Sequence, residues 1–372
     1  MYSKNAKQRV TELLSIAGIT VNGNAPWDIQ VHNDNFYKRL LAGGSLALGE
    51  TYMENWWDCR KPDELISHLL NTDLEAKIKT PKIIAAIILT KIFNFQTHSI
   101  AKVNVSKHYD IGNDLFSKML DKRMVYTCGY WNNAATLDKA QENKMDLACR
   151  KLKLEPGMHI LDIGCGWGSF AKFAAENYAV RVTGISISNE QIQFGKKLCE
   201  GLPVEIKFLD YREVNQKFDR IVCFGMFEHV GQKNHRTYME TANRCLENDG
   251  LFLLHTVGNP FTRTYPDPWL HKYIFPNYTI PSMTQIGKAI EGILLIEDLH
   301  NFGLDYDKTL MAWHKNFTGK WHELKDQYDE TFYRMWTYYL LLCAGSFRAK
   351  RNFLWQIILA KRSRNGEYVS IR

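Results

Sequence analysis

From about residue 156 onward the sequence alternates short β-rich runs with helical periodicity, and nothing else in the chain constrains the fold as strongly. His159 to Ile163 reads as a strand, followed by a glycine turn and a helix from Ser169 to about Asn177. Val180 to Ile185, Val204 to Phe208, Asp219 to Phe224 and Gly250 to His255 read as further strands. Helices are predicted near Glu190 to Cys199 and Arg236 to Leu246, and Ile293 to Leu299 and Phe353 to Ala360 supply late strands. Such alternation predicts an α/β fold, a doubly wound and mostly parallel sheet with ligands at the carboxyl ends of its strands.

The turn itself is Leu161-Asp162-Ile163-Gly164-Cys165-Gly166-Trp167-Gly168. Glycines between a strand and a helix let the backbone turn sharply and come close to a nucleotide. Dinucleotide enzymes use such a turn too, but they place a carboxylate about 20 residues later to hold the ribose. Here the next strand ends in Gly184-Ile185-Ser186-Ile187-Ser188, without one. Asp162 instead stands just before the glycines, where it can accept hydrogen bonds from a positively charged amino-acid moiety. Asp210, in Leu209-Asp210-Tyr211-Arg212, follows the third strand and can accept from an adenine amino group, or serve as an ordinary turn former. The combination favours S-adenosylmethionine over NAD.

The remaining sequence adds a smaller part. Residues 6 to 72 read as short helices separated by turn signals such as Asn22-Gly23-Asn24 and Gly43-Gly44-Ser45. Between Asp73 and Gln96, lysines (Lys77, Lys79, Lys82, Lys91) mix with Ile83, Ile84, Ile87, Ile88, Ile92, Phe93 and Phe95 at helical spacing. Such an amphipathic helix suits either an inter-domain or dimer contact or an anionic lipid boundary. The chain is therefore expected to divide into a small helical lipid-binding domain (1–72), an amphipathic linker (73–104) and a catalytic domain (105–372). No run reaches the roughly 18 to 20 apolar residues of a membrane span. The net charge of +7 fits either solubility or attraction to an anionic surface. The 13% aromatic content leaves rings over for an apolar ligand cavity. Eight cysteines show neither metal spacing nor a disulfide framework, and the start carries no apolar signal region, so reduced cytoplasmic thiols and no metal are expected.

Several stretches resemble the cyclopropane fatty acid synthases: the glycine turn, Gly225-Met226-Phe227-Glu228-His229-Val230-Gly231, Lys107-His108-Tyr109-Asp110-Ile111-Gly112-Asn113-Asp114, Asp267-Pro268-Trp269, Lys272-Tyr273-Ile274-Phe275-Pro276 and Cys343-Ala344-Gly345-Ser346-Phe347-Arg348. Mycolic-acid cyclopropane synthases share the core of these. Gly44 to Met53 and Trp56-Trp57-Asp58 extend the likeness to the amino-terminal part, as in the phospholipid-acting bacterial enzymes. The resemblance implies a Rossmann-like class I methyltransferase fold with a seven-stranded sheet and a small helical amino-terminal domain. It implies a cofactor pocket in which Tyr126 and Thr127 cover the methionine end and Gly164 and Gly166 approach from below. Ser186, Ile187 and Gln191 take the ribose side, and Asp210 with Tyr211 the adenine side. Position 127 is threonine where several relatives have serine; both offer a hydroxyl.

An isolated cis alkene is a feeble nucleophile, so catalysis must rest on holding it against the sulfonium methyl. Methyl transfer leaves a carbocation, which a strong protein nucleophile would trap. The site should be apolar and aromatic, with one small base that removes a proton so the ring can close. The resemblance implies that this base is bicarbonate, cradled by Cys128, Glu228, His255, Tyr306 and backbone near Val257. Glu228 and His255 fall at predicted strand ends, and Asp305-Tyr306-Asp307 in a predicted loop. Beside an anion, Glu228 must be protonated or hydrogen-bonded. Cys343 is a weak catalytic candidate, since the chemistry needs no thiolate. The resemblance further implies a homodimer working peripherally on the inner face of a bacterial inner membrane, on phospholipid with unsaturated acyl chains. Action on another lipid or a small amine is the alternative. A catalytically dead lipid-binding module would lack the glycine turn or the Glu228 and His255 pair, and both are present. A nucleic-acid partner is disfavoured by the absence of a basic stripe interleaved with aromatics.

Overall fold

The computed structural model describes residues 2–72, 112–263 and 265–372, with side chains from residue 6. The helix expected over Ile83 to Phe95, its lysines, and Lys107 to Ile111 lie outside the described residues. In chain order the elements are α1 (Tyr2–Ile16), β1 (Gln30–Val31), α2 (Asn35–Met53), β2 (Trp57–Asp58), α3 (Pro62–Asn71), α4 (Asn113–Met119), α5 (Leu137–Lys151), β3 (His159–Ile163), α6 (Ser169–Tyr178), β4 (Arg181–Ser186), α7 (Asn189–Leu198), β5 (Val204–Phe208) and β6 (Phe218–Phe224). There follow α8 (His235–Cys245), β7 (Leu246–Gly258), α9 (Pro268–Tyr273), α10 (Met283–Ile290), β8 (Leu295–Asn301), α11 (Gly303–Lys320), α12 (Glu330–Arg348) and β9 (Phe353–Ala360). No helix among the described residues is long and apolar enough to cross a membrane.

Internal contacts divide the chain into two units. One takes the described residues within 1–93, 264–276 and 306–352, the other those within 94–263, 277–305 and 353–372. The sequence reading divides the chain into consecutive segments; the contact units are instead discontinuous, because α12 closes over the amino-terminal helices.

In the first unit, Phe36, Trp57 and Leu65 are wholly buried, and the Trp57 indole donates to the Leu48 carbonyl at 3.1 Å. The Gly43-Gly44 turn signal appears as a kink inside α2, where Gly44 takes φ 55°. Helix α12 packs against α2 and α3. Gly345 permits the α3 contact, since a methyl there would meet the Asp63 carbonyl oxygen at 2.5 Å. Arg348 fixes the same junction with a fork to both carboxylate oxygens of Asp307, each 2.9 Å away, and a bond to Asp63.

The second unit is a seven-stranded sheet in the order β5-β4-β3-β6-β7-β9-β8. Strands β3 to β7 pair in parallel, and β9 runs antiparallel between β7 and β8. The strands are hydrophobic runs because helices cover both faces of a parallel sheet: Leu161, Ile221, Leu254 and Ile357 are inaccessible to solvent in one apolar cluster, Ile160, Val222, Leu253 and Ile358 in the other. The doubly wound class I methyltransferase sheet expected from the sequence is what forms.

Candidate active site

The strand order reverses beside β3, the switch point at which such sheets bind ligands. There Gly164, Gly166 and Gly168 adopt φ of 80°, 56° and 85°, and the Gly164 and Cys165 amides both donate to the Ile185 carbonyl at 3.0 Å. A methyl on Gly164 would come within 2.7 Å of the Met226 Cβ, whereas one on Gly166 would meet nothing within 4 Å. Asp162 is 1% exposed, and neither carboxylate oxygen has a hydrogen-bond partner among the described residues. Burial pushes its pKa up to about 7, and the positive charge of Lys144 opposes the rise. An unsatisfied carboxylate at the mouth of a glycine turn fits the ammonium of an amino-acid ligand.

On the side expected to face the ribose, Ser186 ends β4 and its hydroxyl donates to the Gln191 side-chain oxygen at 3.0 Å, while Ser188 caps α7 on the Gln191 amide. Ile187 lies half-buried between the two serines. On the adenine side, Asp210 is already engaged: Arg212 donates to both of its oxygens at 2.7 Å. Oδ1 also accepts the Arg212 backbone amide at 3.0 Å, so an adenine contact would add to these bonds rather than use a vacant carboxylate. Tyr211 is buried against Tyr238, ring centroids 5.0 Å apart.

The cover segment shows what the sequence reading overlooked. Tyr126 packs edge-on against Phe116 at 5.1 Å. The Thr127 carbonyl accepts from Gln141 Nε2 at 2.7 Å and its hydroxyl from Lys144 Nζ at 2.9 Å. Gln141, Lys144 and Lys151 are all buried on α5. Their spacing of three and seven residues places them on one helix face, the only sequence signal for them.

The second set of expected residues surrounds β6 and β7. Cys128 is wholly buried. Glu228 lies in a short 3₁₀ turn (Phe227–His229) after β6, not at a strand end. Its Oε1 accepts from the Val257 amide at 2.6 Å, while the buried Oε2 has no partner. Burial raises its pKa to about 7, against the hydrogen bond from Val257. His255 lies within β7 rather than at its end, because β7 continues to Gly258. Gln356 Nε2, from the register partner on β9, approaches His255 Nδ1 at 3.4 Å, and the buried Nε2 is without a partner. Burial and the charges of Lys144 and Lys151 hold this imidazole neutral, its pKa well below the usual range. Phe224 and Phe302 stand 5.2 and 6.0 Å from its ring.

Asp305 to Asp307 form the first turn of α11 instead of a loop. Tyr306 belongs to the first unit, with its ring 4.6 Å from Phe347 and 6.0 Å from Trp313. Cys343 is in the same unit, where burial pushes its thiol up to about 12, so it stays protonated. Among the described residues no group of three or more His, Cys, Asp or Glu is arranged to hold a metal.

Comparison with known proteins agrees with this architecture. Residues 96–357 match the family described as mycolic acid cyclopropane synthetase. The chain is 50% identical over 356 residues to the cyclopropane-fatty-acyl-phospholipid synthase of Escherichia coli (strain K12), covering 95% of this chain and 93% of that protein. Among solved structures, the cyclopropane synthase MmaA2 from Mycobacterium tuberculosis superposes with a TM-score of 0.66 at 30% identity, over 72% of this chain and 100% of that one. Mycolic acid cyclopropane synthase CmaA1, complexed with SAH and CTAB, gives 0.66 at 29% identity, over 72% and 99%. With its glycine turn, its seven-stranded sheet and this extent of identity, the chain belongs to the cyclopropane synthetase family of S-adenosylmethionine-dependent methyltransferases.

Proposed function

We propose that this protein converts the cis double bond of an unsaturated phospholipid acyl chain into a cyclopropane ring, with bicarbonate as the base. The observation that carries the reading is the set of buried polar atoms without partners among the described residues: both Asp162 oxygens, Glu228 Oε2 and His255 Nε2. Such atoms are costly to bury in a finished protein and mark places where a ligand completes the bonding. Half-identity to an enzyme named for this reaction, over nearly both chains, supports the same substrate class.

S-adenosylmethionine, when bound, supplies an electrophilic methyl on a positively charged sulfur. Asp162 would accept from its amino group, Gly164 and Gly166 would let the backbone lie beneath it, and Tyr126 and Thr127 would cover it. Ser186, Ile187 and Gln191 would line the ribose, Asp210 and Tyr211 the adenine. Bicarbonate, when bound, supplies a small base without a nucleophilic side chain. Cys128, Glu228, His255 and the backbone near Val257 would hold it. With Nδ1 accepting from Gln356, His255 presents a donor at Nε2. Glu228, titrating near neutrality, can meet an anion as the neutral acid and pass a proton at Oε2. Phe224 and Phe302 keep the surroundings apolar and offer π faces to positive charge. Work at the cytoplasmic face of a membrane as a peripheral homodimer completes the reading. Lysines beside isoleucines and phenylalanines in residues 73–96 suit an anionic lipid boundary.

Purified protein given S-adenosylmethionine and vesicles of cis-monounsaturated phospholipid should add one methylene mass per double bond, and fully saturated vesicles should yield nothing. Carbonate-free buffer should slow the reaction and added bicarbonate should restore it. Methylation of a soluble amine with unsaturated lipid untouched would overturn the assignment. A rate indifferent to bicarbonate would overturn only the base, leaving Glu228 in its place.

A further inference from the structure

We propose that Lys144 is a positioning residue of the cofactor pocket: its buried ammonium holds the Thr127 hydroxyl and serves as counter-charge to Asp162, the carboxylate that meets the cofactor's amino group. This rests on the cofactor reading above and deepens it.

Lys144 is 1% exposed, a placement lysine almost never takes without compensation. Its Nζ donates to Thr127 Oγ1 at 2.9 Å and stands 4.4 Å from the centre of the Phe224 ring. Among the described residues, the titratable groups facing it are Asp121 from the loop after α4, Cys128 from the cover segment, Asp162 from β3 and His255 from β7. These are not equivalent. Asp121 is satisfied by the backbone amides of Val125 at 2.8 Å and Arg123 at 3.2 Å. His255 stays a neutral member of an apolar wall. Asp162 has no donor of its own, so the charge of Lys144 is what offsets its desolvation. Burial draws Lys144 down to about 8 and Asp162 up to about 7, so the pair is charged only in part near neutrality. One ammonium thus ties the lid residue of the pocket to the carboxylate at its floor. An arriving amino group finds both already in place, which lowers the ordering cost of binding.

The test is calorimetric titration of the full chain with S-adenosylhomocysteine from about pH 6 to 9, which reads binding without lipid or turnover. Native affinity should tighten as pH rises through the Asp162 range. In Lys144→Met the carboxylate loses its counter-charge, so this tightening should move one to two pH units higher. With Asp162 half ionised near pH 7, affinity there should fall about 5- to 50-fold and recover towards native at the alkaline end. Lys144→Arg should restore most of the binding. Lys144→Gln keeps a donor for Thr127 without the charge, so it should show the same alkaline displacement and carries the test should the Met variant fail to fold. Native-like affinity in the uncharged variants, or a loss equal at every pH, would mean a merely structural lysine and overturn the proposal alone. Failure of the native protein to bind S-adenosylhomocysteine would overturn the cofactor reading and this proposal with it.

Discussion

Replacing Glu228 by Gln should cripple the enzyme and stabilise the protein, with a pH signature that identifies the cause. The Glu228 carboxyl is 7% exposed, and only one of its oxygens has a partner. Its pKa rises from 4.5 to about 7, chiefly through desolvation. A raised carboxyl pKa means that the folded state binds the proton more tightly than the unfolded chain. Stability is therefore lost as pH climbs from about 4.5 to about 7 and stays lost above it. At 1.36 kcal/mol per pH unit the loss amounts to about 3 kcal/mol, an upper figure if water relieves part of it. Glutamine keeps an oxygen for the Val257 amide and cannot ionise. In the cofactor-free protein, Glu228→Gln should match the native chain near pH 4.5 and exceed it by about 1 to 3 kcal/mol at pH 8, measured by reversible denaturant unfolding across that range. The same substitution should lower the cyclopropanation rate about 100- to 10,000-fold, the usual cost of one well-placed proton-transfer group. A stability difference between variant and native that is independent of pH, or that shrinks from pH 4.5 to pH 8, would refute the buried, half-titrated acid on which the chemistry rests.

Two further outcomes follow from local geometry. Gly164→Ala should cost about 1 to 3 kcal/mol in backbone strain at φ 80°; its methyl would also strike Met226, so S-adenosylhomocysteine affinity measured by calorimetry should collapse while far-UV circular dichroism stays native. Cys343→Ala should retain turnover within a few fold, because a thiol pushed up to about 12 offers almost no thiolate near neutrality; a hundredfold loss in the lipid assay would return that cysteine to the mechanism.

The sheet was legible because its strands are short apolar runs bounded by turn residues, and β3, β5 and β9 begin and end where hydropathy places them. β7 outruns its predicted limits for a physical reason. The strand begins at Leu246 and passes through Asn248-Asp249-Gly250, and the irregularity appears as a register shift in its pairing with β6. Asp305 to Asp307 fall in a predicted loop, but Asp305 accepts the Trp131 amide at 2.8 Å and sits in the first turn of α11, where a carboxylate suits the helix dipole. Lys144 was illegible in a deeper sense. A lysine among polar helix residues reads as a solvated face, and only the three-dimensional positions of Asp162 and Thr127 turn that face inward.

The discontinuous first unit carries a cost during protein synthesis. Arg334 of α12 donates to the Tyr52 carbonyl from 282 residues further along the chain. At roughly 5 to 20 residues per second, a ribosome needs about 15 to 55 seconds to make that stretch. For that time α2 and α3 have emerged without the helix that buries their apolar faces. The amino-terminal region is thus born early and completed late, and a fragment ending near residue 72 would carry the same uncovered surface permanently. It cannot be moved between proteins as a self-sufficient cassette, since its closing piece is encoded between β8 and β9 of the other unit.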